Sequence, residues 1–323
     1  MPPALRFRAD GTFTIVQFTD THVTEGDAPD VQTAALMAAV LDAEQPDLVV
    51  LTGDVIDGGR CTDPAASWRR AVTPVTGRGL PWAAVFGNHD DEGSLDRAAL
   101  MAVQQELPGC LSREPSGRGH ATISGVGNYA LTVLASAGDK PAAHLYFLDS
   151  NAYAETDIGG YGWVRRDQIA WYVMKARTLA RPEGTRADGA LLPALAFFHI
   201  PLPEYDEVWE LHLCHGVKYE PVCCPAINTG LFAALHEVGD VLGTFVGHDH
   251  INDYMGGLHG IRLCYGRATG YNTYGREGFA RGARVIRLQE GVRDFTTWLR
   301  LVGGEVVTAQ PEHWPTTQRS LSA

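Results

Sequence analysis

Five short polar motifs stand in a fixed order along this chain, and most follow directly on an apolar run. They are Asp20-Thr21-His22, Gly53-Asp54-Val55-Ile56-Asp57, Gly87-Asn88-His89-Asp90, His199, and Gly247-His248-Asp249-His250. A lone Gly-Asp or Asp-x-His reads as a turn or a cap, and a lone histidine at a strand end as a satisfied core residue. Five such motifs in order do not read that way. They ask for a fold in which distant strand ends converge, and an open α/β sheet does this at the carboxyl edge of its strands.

The apolar runs support that architecture. Phe13–Phe18, Asp47–Leu51, Trp82–Phe86, Ala194–Phe198 and Val241–Val246 are nearly continuous and lack polar alternation. Such runs predict strands covered on both faces. Helices are predicted over 31–44, 66–76, Asp167–Ala180 and Asn228–Val238, the third with Trp171 and Met174 on its apolar face. Tyr129–Leu134 and His144–Leu148 flank a turn-like Gly138-Asp139-Lys140-Pro141 and predict a hairpin that starts a second sheet. Ile261–Tyr265, Ala283–Leu288 and Phe295–Leu301 are further strands. Residues 201–227 carry four prolines and read as a long ordered loop. The pattern predicts two stacked sheets with helices outside, as one domain over 1–302 and a loose tail over 303–323.

The 323 residues are enough for a sizeable core. The net charge of −12 argues against a general nucleic-acid or anionic-membrane surface. No apolar run approaches a membrane span, and the first residues lack the apolar core of a secretion signal. Six cysteines in such a chain read as reduced thiols in the cytoplasm. Cys214, Cys223 and Cys224 lack the paired spacing of a zinc knot.

The motifs supply carboxylate, imidazole and amide ligands with no thiolate, a set that suits manganese, iron or zinc. A bridging carboxylate allows two divalent or mixed-valence ions about 3.5–4 Å apart, the spacing that clamps attacking and leaving oxygens. The ligand candidates are Asp20, His22, Asp54, Asn88, His199, His248 and His250. His120, His144, His212, His215, His236 and His259 read as structural.

This pattern resembles the calcineurin-like metallophosphoesterase superfamily from Phe13 to Leu301. The resemblance implies an α/β fold, an α/β/β/α sandwich of two mixed sheets flanked by helices. It assigns Asp20, His22, Asp54 and His250 to one metal, and Asp54, Asn88, His199 and His248 to the other. His89 would contact substrate as general acid, and Asp57 matches the acid that orients this histidine in phosphoprotein phosphatases. The segments Phe197–Glu204, Gly247–Asp253 and Leu263–Arg267 are similar to a subgroup of plant and fungal purple-acid-phosphatase-like proteins, some labelled inactive. Purple acid phosphatases carry a metal-binding tyrosine where this chain has Asp57, and Asp-x-Gly where it has His22. The phosphate-binding arginine of phosphoprotein phosphatases is replaced by Gly58, with Arg60 or Arg267 as candidate substitutes.

The expectation is a two-metal phosphoesterase that hydrolyses a small phosphorylated substrate by in-line attack of a bridging hydroxide, a phosphomonoesterase before other readings. The alternatives are a phosphodiesterase acting on a cyclic nucleotide, nucleic acid or phospholipid head group, and a catalytically silent regulatory or binding protein. The oligomeric state is not legible in the sequence.

Overall fold

The computed structural model describes residues 4–114, 123–180, 189 and 191–315. In chain order the first half runs β1 (Thr12–Phe18), α1 (Ala28–Glu44), β2 (Leu48–Thr52), α2 (Pro64–Thr76), β3 (Trp82–Val85), α3 (Arg97–Gln105), β4 (Tyr129–Leu134), β5 (Pro141–Phe147) and α4 (Arg166–Leu179). The second half runs β6 (Ala194–Phe197), α5 (Glu204–Leu211), β7 (Cys214–His215), α6 (Leu231–Val238), β8 (Val241–Val246), β9 (Met255–Leu258), β10 (Ile261–Tyr265), β11 (Gly282–Gln289), β12 (Phe295–Leu301), β13 (Val306–Val307) and β14 (Glu312–His313).

Two mixed sheets form the centre. One has the order β13-β12-β11-β1-β2-β3, the other β14-β7-β9-β10-β8-β6-β5-β4. β1, β2 and β3 are mutually parallel, as are β5, β6, β8 and β10. The faces alternate by the two-residue period of a strand. Phe13, Ile15, Leu48 and Val50 join Leu145, Phe147, Leu195 and Phe197 in the core between the sheets. Val16, Phe18, Val49 and Leu51 face the other way, onto Leu36, Met37 and Trp68 of α1 and α2. Tyr146 and Ala196 of the second sheet meet Trp171 and Tyr172 of α4 and Tyr205 of α5. This is the expected α/β/β/α sandwich. Full burial of each large apolar side chain contributes about 1.5–3 kcal/mol, so three such layers hold the strand ends rigidly.

Local chemistry explains the helix ends. Asp27 caps α1 by accepting from Asp30 N at 3.1 Å, and the helix closes at Gln45 in the left-handed region, just before Pro46. Several sequence expectations are corrected. The stretch 201–227 is not all loop: Pro203 leads into α5, with Glu204, Asp206 and Glu207 in its first turn, where the helix dipole favours acids. Met174 is 56% exposed, and the buried face of α4 is Trp171, Tyr172 and Ala176. Helix α3 and strand β9 were not anticipated. Residues 306–307 and 312–313, within the expected tail, pair with β12 and β7.

Candidate metal centre

The parallel strands aim their carboxyl ends at one edge. β1 leads to Asp20, β2 to Asp54 and β3 to Asn88 and His89. From the other sheet, β6 leads to His199 and β8 to His248 and His250. The sheets are tied there by buried hydrogen bonds. Gln17 Nε2 donates to Thr52 Oγ1 at 2.8 Å and to Val246 O at 3.0 Å, and His248 N donates to Asp20 Oδ1 at 3.0 Å.

The backbone is strained at this edge. Asp20 (φ 54°), His22 (φ 44°), Asp54 (φ 47°) and His248 (φ 77°) occupy the left-handed region, four of the seven non-glycine residues that do so among the described residues. Such conformations cost on the order of 1–3 kcal/mol each and concentrate at functional sites. The turns throw consecutive side chains inward where an extended strand would splay them. Gly87 and Gly247 allow the close approach this requires. A Cβ on Gly87 would lie 2.1 Å from Asp54 Oδ1, and one on Gly247 1.9 Å from Thr19 Oγ1.

Ligand atoms converge as two groups that share Asp54. Asp20, His22, Asp54 and His250 form one group, and Asp54, His199 and His248 the other, with atoms within 4.8 Å of one another in each. All are buried. His22 Nε2 and His250 Nε2 face each other at 3.3 Å, as do His199 Nε2 and His248 Nδ1. Two of the remaining ring nitrogens have outward partners: His199 Nδ1 lies 2.8 Å from Thr52 O, and His250 Nδ1 2.6 Å from Thr273 Oγ1. A carbonyl can only accept, so His199 Nδ1 carries a proton and Nε2 is turned inward. There it meets Asp54 Oδ2 at 3.2 Å. Two such acceptors need a proton or a metal ion between them. Asn88 Oδ1 is likewise buried without a hydrogen-bond partner. These orphaned acceptors fit a binuclear metal site.

The electrostatics agree. Burial alone would push Asp20 up, but His250 and His199 outweigh it and bring it to about 2. Burial pushes His22 and His248 down to about 3 each, against the pull of nearby carboxylates. His199 resists its own burial because of Asp54 and rises to about 9. In the metal-free protein its proton stands where a cation would. Asp90 is raised to about 7 by burial and by Asp54. It supports the loop instead of ligating, accepting from Ile56 N at 3.0 Å and Gly87 N at 2.7 Å.

His89 lies at the rim. Its ring is 5.3 Å from that of His22, and its backbone N donates to Asp54 Oδ1 at 2.8 Å. Asp57 does not back it as the sequence suggested. Asp57 Oδ2 pairs with Arg60 at 3.3 Å, and His89 Nδ1 meets Glu92 Oε2 at 2.7 Å. The motif pattern stopped at Asp90, and only the fold of the following turn reveals Glu92. Arg267 is bound by Asp253 and stacked on Phe279, a structural role. Arg60 remains half-exposed and reaches Asn272 O at 3.2 Å, one residue from Thr273.

Other residues surround the site. Tyr274 stacks on His250 with centroids 4.2 Å apart, and Tyr161 meets His248 edge-on at 4.3 Å. Tyr153 bridges to Tyr161 across a narrow loop and accepts from Asn88 Nδ2 at 3.1 Å. From the 201–227 segment, Glu220 accepts from Ile251 N at 2.8 Å and from the Tyr274 hydroxyl at 2.8 Å. On α5, Tyr205 is instead buried against Thr244, and Trp209 stacks on His313. All six cysteines are unpaired, and none joins a ligand cluster among the described residues. No helix among the described residues is long and apolar enough to cross a membrane.

Residues 13–252 match the calcineurin-like phosphoesterase family, and the chain belongs to that family. It is 35% identical over 327 residues to probable inactive purple acid phosphatase 29 of Arabidopsis thaliana, covering 92% of this chain and 84% of the relative. It is 34% identical to phosphatase DCR2 of Saccharomyces cerevisiae, covering 91% of this chain and 54% of that longer protein. These relatives place it in the expected plant and fungal subgroup. The fold is similar to that of a dimetal phosphatase from Danio rerio (TM-score 0.56, 14% identity, covering 88% of this chain and 98% of that one).

Proposed function

We propose that this protein is a two-metal phosphoesterase and that its substrate is a small phosphate monoester. The observation that carries the reading is the pair of ligand groups joined at Asp54, with inward-facing acceptors that lack partners. Asp20, His22, Asp54 and His250 would hold one ion, and Asp54, Asn88, His199 and His248 the other. Manganese, iron or zinc suits this donor set. Ions bound there would lower the pKa of a water and neutralise phosphate oxygens.

The chain's own groups do the rest. His89 stands at the rim with a ring nitrogen free to protonate the leaving oxygen, a contribution of about 10²–10⁴-fold. Arg60, half-exposed beside Asp57, is the cation available for a free phosphate oxygen. Its presence favours a monoester dianion over a diester. The strained, packed backbone holds the ligands in place before substrate arrives. Unpaired cysteines throughout support a reducing, cytoplasmic setting.

The test is hydrolysis of p-nitrophenyl phosphate and bis-p-nitrophenyl phosphate by metal-quantified protein. Faster turnover of the monoester supports the reading, and faster turnover of the diester replaces it with a phosphodiesterase. Several relatives bear the word inactive in their names. Loaded protein that hydrolyses neither ester would make this a silent, metal-binding member.

A further inference from the structure

We propose that Glu92 is the positioning residue of the site, holding His89 and Asn88 in their working orientations through one carboxylate. The proposal rests on the phosphoesterase reading above and names the residue that aims its acid. Glu92 Oε2 lies 2.7 Å from His89 Nδ1, and Glu92 Oε1 accepts from the Tyr153 hydroxyl at 2.6 Å. The Tyr153 oxygen in turn accepts from Asn88 Nδ2 at 3.1 Å.

The donor and acceptor inventory makes this chain directional. A carboxylate only accepts, so the proton between Glu92 and His89 sits on Nδ1. That leaves Nε2 as the reacting nitrogen. Tyr153 gives its proton to Glu92 and offers its oxygen to Asn88. The Asn88 amide is thereby turned with NH₂ outward and Oδ1 inward, where Oδ1 is buried and unpartnered. One acid thus orients an amide ligand and the neighbouring imidazole. Asp57 is engaged with Arg60 instead.

In the reaction the phosphorus–oxygen bond to the leaving group breaks, and the leaving oxygen takes the proton from His89 Nε2. Water supplies the hydroxyl that stays on phosphorus and releases its other proton to solvent. The Nδ1 proton stays with His89 throughout. The Glu92 carboxylate stabilises the imidazolium before transfer and keeps Nε2 aimed, as an acid behind a catalytic histidine does elsewhere. Glu92, His89 and Tyr153 are all partly exposed. Packing alone does not hold these side chains, so their hydrogen bonds must.

The experiment compares wild type, Glu92→Gln, Asp57→Asn, His89→Ala and the Glu92→Gln/His89→Ala double variant, each with metal measured per chain. Each is assayed on phenyl phosphate, which has a poor leaving group, and on p-nitrophenyl phosphate, which has a good one. Glu92→Gln keeps its metal and loses about 10-fold more kcat on phenyl phosphate than on p-nitrophenyl phosphate. The double variant falls no further than His89→Ala, and Asp57→Asn changes the ratio of the two substrates by less than Glu92→Gln. A second readout needs no turnover: in metal-free protein the His89 Nδ1 proton is a downfield, slowly exchanging resonance that moves upfield in Glu92→Gln and stays in Asp57→Asn. Equal losses on both esters, additive losses in the double variant, or the larger ratio change in Asp57→Asn would overturn the role of Glu92 while the phosphatase reading stands. A loaded wild type that releases no phosphate, or a His89→Ala variant with an unchanged ratio, removes the acid reading itself and the role of Glu92 with it.

Discussion

Gly87 lies so close to Asp54 that a Cβ added to it would sit 2.1 Å from the Asp54 carboxylate oxygen and 2.3 Å from its backbone nitrogen. The glycine before Asn88 is therefore required by the carboxylate shared between the two ligand groups. Gly87→Ala should displace Asp54 at a cost of about 1–3 kcal/mol or more, because the added methyl overlaps both its carboxylate and its backbone nitrogen and one of them must shift. Elemental analysis should find less than half the wild-type metal, with far-ultraviolet circular dichroism unchanged. Full metal occupancy in the variant would contradict this account of the Gly-Asn motif.

The aromatic side chains beside the candidate site come from outside the 201–227 segment. Tyr205 and Trp209 are packed into the fold, whereas Tyr274 and Tyr161 touch His250 and His248 and Tyr274 is 53% exposed. Tyr274→Ala and Tyr161→Ala should change relative rates among phosphate esters several-fold, with metal content retained. Trp209→Ala should scale all substrates alike and lower the melting temperature, as loss of a packed aromatic does. A flat substrate profile in both tyrosine variants would move the specificity elements elsewhere.

His144 gives a pH dependence away from the metal site. It is buried on β5, its Nε2 has no partner, and burial, aided by Lys175, pushes its pKa from 6.5 down to about 4. The folded state thus prefers the neutral ring. Its contribution is complete above about pH 6.5 and is lost as pH falls toward 4. At about 1.4 kcal/mol per pH unit the loss is at most about 3 kcal/mol. Urea titrations at pH 7 and pH 4.5 should show a smaller acid loss in His144→Leu than in wild type. Equal losses would mean that His144 finds a partner on protonation.

Much of the candidate site was legible in sequence because polar side chains presented at a strand end need a short, fixed motif. The apolar run, the glycine and the polar residue that follows are contiguous, so Asp54, Asn88 and His248 announce themselves. Glu92 and Tyr153 do not. Glu92 lies in an ordinary acidic stretch, and Tyr153 reaches it across 61 residues. The exposure of Met174 was hidden too, since methionine suits either face of a helix and only the neighbouring elements decide. Helix α5 was obscured by Pro201 and Pro203, which mark a loop until one sees that the second of them caps a helix.

Colour should separate this protein from purple acid phosphatases that carry a metal-binding tyrosine. The Tyr265 hydroxyl is committed to Asp249, that of Tyr274 to Glu220 and that of Tyr153 to Glu92. Iron-loaded protein should therefore show no intense visible charge-transfer band. A purple protein would mean that a tyrosine, Tyr161 foremost, turns its oxygen onto the metal.

The most direct measurement is metal stoichiometry paired with phosphate release, in wild type and in Asp54→Ala. Asp54 is the residue common to both ligand groups. Wild type should hold two transition-metal ions per chain and release phosphate from p-nitrophenyl phosphate. Asp54→Ala should lose both ions together and at least about 10²-fold of the rate, as removal of groups that stabilise the transition state does. Wild type that binds no transition metal, or an Asp54→Ala variant that keeps two ions and full activity, would contradict the account.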